Sequence, residues 1–272
     1  MWFGNLVTMD WWDDLWLNEG FASYMENLGV NYIHPDWKML DQFVVTTTQW
    51  SMALDSLQSS HPIKAHVKNP AEIEALFDVI SYKKGAALTR MLENFLGMDG
   101  LRAGLSKFLH KYQYRTAKTS DLWHCFSDVS AKQAINVSAI MDTWVEQKGY
   151  PVITVRRRGS QLVLSQRRFL SSVAESDTAS LTDISPHGYV WIIPVTLVTD
   201  RTISSTGKTS AAAAAPQLIW LNETEMSVPS PPVDQWFKLN VNQSGYYRVN
   251  YEPSVWQALT DTLNNHGYNR HR

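Results

Sequence analysis

The chain has 272 residues, enough for one large domain or two ordinary ones. Apolar residues make up 44% and charged residues 18%, the proportions of a globular protein, and a net charge of −2 gives no reason to expect a nucleic-acid partner. A single cysteine, Cys125, excludes an internal disulfide and a cysteine-based metal site, and it reads as a small core residue. No run of about eighteen apolar residues occurs, so no transmembrane helix is expected, and the N-terminus has no signal-peptide pattern. The tryptophan-rich composition suits large cores or aromatic-lined clefts.

The first element is a short strand-like lead-in, Leu6 to Met9, with a turn at Asp10. The pattern then predicts a helix from about Asp13 to Leu28. Asp13 and Asp14 favour its positive end, and Gly29 reads as its stop. Leu15, Trp16, Leu17, Phe21, Ala22, Tyr24, Met25 and Leu28 make it apolar on most sides, as in a buried helix. Glu19 sits in its middle, with Trp12, Leu15 and Trp16 on nearly the same face and Glu26 two turns on. Either both acids face water, or Glu19 is buried because it holds a cation. Spacing alone does not decide between these.

His34-Pro35-Asp36 marks a break, and residues 37 to 50 carry bulky apolar residues at helical spacing. Asp55 to Pro62 is a polar loop. His61 and His66 lie five apart across a proline and make a poor metal pair. Asn69-Pro70, followed by acids, reads as a helix start. Ile80-Ser81-Tyr82-Lys83-Lys84-Gly85 leads into a helix from Leu88 to Phe95, with Tyr82 at its edge. Gly97 to Gly100 is a break, and Leu101 to Leu109 begins another helix. Thr119 reads as an N-cap with Asp121 in the first turn. Ile140 to Gln147 is a helix stopped by Lys148-Gly149-Tyr150-Pro151.

After Pro151 short strands replace helices. They are expected at Val152–Val155, Gln161–Gln166, Val190–Val198, Leu218–Leu221, Trp236–Val241 and Gly245–Tyr251. Arg158-Gly159-Ser160 turns the first pair, and Pro194 requires an edge or bulge. Such spacing suggests a β-sandwich. Arg156-Arg157-Arg158 reads as a solvated strand end, and Ser204 to Ala215 as a flexible low-complexity loop. A last helix, Ser254 to Leu263, begins near the C-terminus. Asn136, Asn222 and Asn242 open N-x-[ST] sequons, glycan sites in a secreted context.

Trp2 to Ala22, above all Leu17-Asn18-Glu19-Gly20-Phe21-Ala22, resembles the segment that follows the zinc motif of the gluzincin aminopeptidases of the aminopeptidase N and A type. Further marks are Asp55-Ser56-Leu57-Gln58-Ser59-Ser60-His61-Pro62, Tyr82 in S-Y-x-K-G, and Gly245-Tyr246-Tyr247-Arg248-Val249-Asn250-Tyr251. Leu28-Gly29-Val30-Asn31, Lys118 to Asp121 and Met141 to Trp144 resemble the aminopeptidase A branch most. The resemblance implies that Glu19 is the third zinc ligand and that Tyr82 steadies the oxyanion formed when water attacks the scissile carbonyl. Zinc would activate that water and polarise the carbonyl. The two His ligands and general-base Glu of the family's H-E-x-x-H have no counterpart here, nor does its G-A-M-E-N segment, so this chain alone is expected to be inactive. Glu26 is a candidate acid behind the ligands.

The expected architecture is α + β and multidomain. Residues 1–149 are the helical part of a thermolysin-like catalytic domain, 150–251 a β-sandwich, and 252–272 the start of a C-terminal helical domain. The implied reaction releases N-terminal residues from peptides, and the implied cofactor is one zinc ion. The resemblance also implies a parent anchored at the plasma membrane with its ectodomain outside, or secreted, and a homodimer through a C-terminal domain. The alternative is a non-catalytic truncated form that binds peptides or a partner.

Overall fold

The computed structural model describes residues 2–131, 135–171, 185–199 and 216–265. The alanine-rich stretch 204–215 lies outside them. Strand β1 (Val7–Met9) pairs in parallel with β2 (Arg115–Ala117). A 3-10 turn, Trp12–Asp14, then leads into α1 (Trp16–Ile33). This helix starts later than its sequence suggests because the two aspartates are engaged across the fold. Asp13 accepts from the Val67 amide at 2.8 Å, and Asp14 accepts from the Thr119 hydroxyl at 2.5 Å. It also ends later. Gly29 is exposed with open space around it and does not stop the helix. The break falls at His34, whose backbone Pro35 holds away from the helical region.

Helices α2 (Met39–Phe43) and α3 (Trp50–Asp55) are joined by a π-helical stretch, Val44–Gln49. Asn69 caps the 3-10 turn Pro70–Glu72 as expected, accepting from the Ala71 amide at 3.0 Å. A π-helical turn, Ile80–Lys84, feeds α4 (Gly85–Tyr112), which is broken at Gly97 (φ 78°). In α5 (Thr119–Ser130) the cap differs from expectation. The Lys118 amide donates to Asp121 at 3.0 Å, while the Thr119 hydroxyl turns inward to Asp14 and accepts from Trp16 Nε1 at 3.0 Å. Helix α6 (Val137–Val145) closes the helical part.

Strands β3 (Pro151–Arg158) and β4 (Gln161–Arg168) form an antiparallel hairpin, turned at Gly159 with φ 60°. The others are β5 (Ile193–Thr199), β6 (Gln217–Leu221), β7 (Glu225–Pro229), β8 (Phe237–Leu239) and β9 (Arg248–Tyr251), before helix α7 (Pro253–Asn265). They make one sheet of order β7-β4-β3-β9 and a second of order β6-β5-β8. Helices with several sheets make the chain α + β. Strand β5 is shorter than predicted, because residues 190–192 spend their backbone groups on Gln147, Gln166 and Thr143 instead. Pro194 is tolerated because β8 pairs only with Leu197–Thr199. Arg157 is not simply solvated: it donates to the Pro231 carbonyl at 2.7 Å and lies over the Phe237 ring.

One apolar core runs through helices and sheets alike. Trp16, Trp123, Trp144 and Trp191 are fully buried in it, as is Cys125. At the junction Tyr150 stacks on Phe169 and meets Tyr246 edge-on, both at 5.5 Å.

Candidate active site

Glu19 lies in the first turn of α1, half-buried. The next residue, Gly20, is buried against Gly85 at the head of α4. A Cβ on Gly20 would stand 2.9 Å from the Gly85 Cα and carbonyl carbon, and one on Gly85 would stand 3.0 Å from the Gly20 Cα. Only a pair of glycines lets the two backbones come this close. That approach brings Glu19, one residue before Gly20, beside Tyr82, three residues before Gly85. The Tyr82 phenol is held above its ordinary pKa by partial burial, then by the nearby charge of Glu19. It is therefore a neutral O–H donor near neutral pH.

Tyr82 sits in the π-helical turn Ile80–Lys84, which is pinned at both ends. At its start Asp78 Oδ1 accepts from the Ile80 and Ser81 amides, each at 3.0 Å. His61 Nε2 meets Asp78 Oδ2 at 2.7 Å, and His61 Nδ1 meets the Pro62 carbonyl at 2.7 Å. Both ring nitrogens face acceptors, an arrangement that favours the charged imidazolium, and the His61 pKa is raised, chiefly by the Asp78 hydrogen bond. Burial alone would raise the Asp78 pKa, but the bonds from His61 and the Ser81 amide outweigh it and leave the carboxyl lowered. At the turn's end Lys84 is fully buried in an ion pair with Asp55.

The histidines do not form a metal pair. His61 is spent on Asp78, and His66 is exposed, bonded to Asp13 at 3.0 Å. Among the described residues no group of three His, Cys, Asp or Glu is placed to hold a metal ion. Glu19 suits one place in such a site, and the described residues do not complete it. Glu26 is exposed, about 10 Å along α1 from Glu19 by the helix rise, and is not brought to the Glu19–Tyr82 pair. The sequon residues Asn136, Asn222 and Asn242 are all exposed. An apolar cleft of about 460 Å³, lined by Trp2, Phe3, Met25, Leu28, Leu101 and Leu105 among others, does not include Glu19 or Tyr82.

Residues 1–144, which hold Glu19, Gly20, Tyr82 and Gly85, match the peptidase family M1 domain. The chain belongs to peptidase family M1. It is 42% identical over 268 residues to glutamyl aminopeptidase of Bitis rhinoceros and 43% over 262 residues to aminopeptidase A of Gloydius brevicauda. To aminopeptidase N of Rattus norvegicus it is 41% identical over 273 residues. Each of these alignments covers 96% of this chain and 26% of the relative. The chain thus spans about a quarter of the length of the M1 relatives it matches. Among its described residues no helix is long and apolar enough to cross a membrane.

The gluzincin resemblance thus stands. Sequence reasoning missed the Gly20–Gly85 contact and the anchoring of Tyr82 by Asp78 and Lys84. Each glycine lies next to a singled-out residue or its motif, but nothing local shows that the two meet.

Proposed function

We propose that this chain supplies part of the active site of an M1 aminopeptidase, with Glu19 a zinc ligand and Tyr82 the donor to the oxyanion. The observation that carries this reading is the Gly20–Gly85 contact, which sets Glu19 on α1 against the turn that holds Tyr82. A fixed neutral donor beside a carboxylate suits a site where negative charge develops on a carbonyl oxygen. Zinc dependence is general in the family, and the donor set here provides one carboxylate. A zinc site needs three or more protein donors. The remaining donors and the general base are therefore proposed to come from an H-E-x-x-H helix, which this sequence does not contain. The chain alone is proposed to bind zinc poorly and to leave peptides uncut. In the assembled site Tyr82 holds its proton at the phenol oxygen and donates a hydrogen bond as the oxyanion forms. The proposed substrates are peptides with a free N-terminus. The proposed setting is extracytoplasmic, with glycans on Asn136, Asn222 and Asn242.

The test joins an H-E-x-x-H-bearing segment of rat aminopeptidase N to this chain at the family spacing. Glu19→Gln should weaken zinc binding. Tyr82→Phe should keep the zinc and lose turnover. Full turnover in Tyr82→Phe, or unchanged zinc affinity in Glu19→Gln, would remove the assignment.

A further inference from the structure

A buried lysine requires a reason, because lysine is almost never fully buried unless it is paired. Lys84 and Asp55 are each 0% exposed, with Nζ 2.9 Å from Oδ2. The contact is an ion pair by distance, without the alignment of a hydrogen bond at Oδ2. Both partners reach one further point. Lys84 Nζ donates to the Gly149 carbonyl at 3.0 Å, and Asp55 Oδ1 accepts from the Gly149 amide at 2.9 Å. Asp55 Oδ1 also accepts from the Ser60 hydroxyl at 2.6 Å. Lys84 Nζ lies 5.6 Å from the centre of the Tyr246 ring. The end of the Tyr82 turn is thus fastened to α3, to the residue before Tyr150 and to a core tyrosine just before β9.

An apolar pair of similar volume often replaces a buried ion pair at little cost, although here it would leave the buried Gly149 amide and carbonyl without these partners. What an apolar pair lacks is direction. The turn it ends is π-helical, a form found mostly as single turns and often at functional sites. The Tyr82 amide itself bonds at α-helical spacing to the Asp78 carbonyl at 3.2 Å, and the wider bond runs from the Gly85 amide to the Ile80 carbonyl. Relaxing that bond would shift the register by one residue and turn Tyr82 relative to α4 by about 100°. Tyr82 lies two residues before Lys84, inside that turn, so its aim depends on where the turn's end is held.

We propose that Lys84 and Asp55 are positioning residues for Tyr82, their buried ion pair holding the turn Ile80–Lys84 in the register that sets the phenol against Glu19. The proposal rests on the reading of Tyr82 given above, but its test needs neither zinc nor turnover. 3-Fluorotyrosine is placed at position 82 of the full chain, and its fluorine resonance is compared with and without Glu19→Gln. In the native background the resonance should move. In Asp55→Leu/Lys84→Met, with melting and far-ultraviolet dichroism still native-like, that response should fall to the level of a fluorotyrosine at exposed Tyr114. A folded double variant that keeps the full Glu19-dependent shift overturns the proposal. Should the double variant fail to fold, Asp55→Asn, which keeps the side chain's shape and loses its charge, is read by the same criterion. No response to Glu19→Gln in the native background also overturns it. An active Tyr82→Phe would fail the catalytic reading alone and leave the fluorine result unchanged.

Discussion

Gly20→Ala tests the contact that assembles the site. At an exposed helical position the same change is favourable by about 1 kcal/mol. Gly29 supplies that control in the same helix, since an added Cβ there meets nothing within 4 Å. At Gly20 the Cβ lands 2.9 Å from two backbone atoms of Gly85 and 3.3 Å from the Ala86 nitrogen. Carbon atoms pack at about 3.5–4.0 Å, so α1 and the head of α4 must separate by roughly 0.6–1.1 Å. No flexible side-chain end is available to move instead. Overpacking of this kind costs about 1–3 kcal/mol, and rigid backbone on both sides places it in the upper half of that range. Gly20→Ala should therefore fall about 2–3 kcal/mol below Gly29→Ala in stability. Urea unfolding followed by tryptophan fluorescence, on both variants in one buffer, measures the difference directly. Equal stability, or a more stable Gly20→Ala, would refute the close approach and with it the placing of Glu19 beside Tyr82.

Tyr82→Phe should change stability by no more than about 0.5 kcal/mol, because the side chain is only partly buried and lies outside the core. In the joined enzyme it should lower kcat by about 10²–10³-fold, the range for loss of one oxyanion donor. Lys84→Met alone leaves the Asp55 charge buried without its ion-pair partner and should cost about 3–5 kcal/mol; adding Asp55→Leu should recover only part of it, because the buried Gly149 amide then loses its acceptor, and denaturant melts of the three proteins check this. The His61–Asp78 pair should make stability depend on pH. The raised His61 pKa means that its contribution is complete below about pH 6.5 and is lost as pH climbs through the folded value. The lowered Asp78 pKa means that its own part is lost only below the ordinary carboxylate range. Both groups are about a third exposed, so the effect is about 1 kcal/mol or less. The stability gap between the native chain and His61→Asn should shrink from about pH 5.5 to about pH 8.5, and a gap that widens would reverse the assignment.

Much of the fold was legible because periodicity reports burial locally. The buried helix α1 and the alternating β3–β4 hairpin follow from it. Local signals failed where tertiary partners decide. Gly29 has the right chemistry for a stop, but a helix continues through glycine unless the next backbone must turn, and here Pro35 sets the end. Strand β7 (Glu225–Pro229) escaped notice because it is an edge strand with only Val228 buried. The site was legible only as separate residues. Glu19 and Tyr82 drew attention through resemblance, whereas their meeting depends on two glycines far apart in sequence. Lys84 carries no local sign of burial, because Asp55, Gly149 and Tyr246 come to it from three other parts of the chain.

The most direct test of the account is zinc per chain in the purified protein, with aminopeptidase turnover on the same sample. Glu19 is one donor, and the described residues offer no group of three to complete a site. The account predicts zinc well below one ion per chain and no turnover. One zinc per chain with turnover abolished by Tyr82→Phe would contradict it, because the chain would then complete by itself a site that this account divides between two segments.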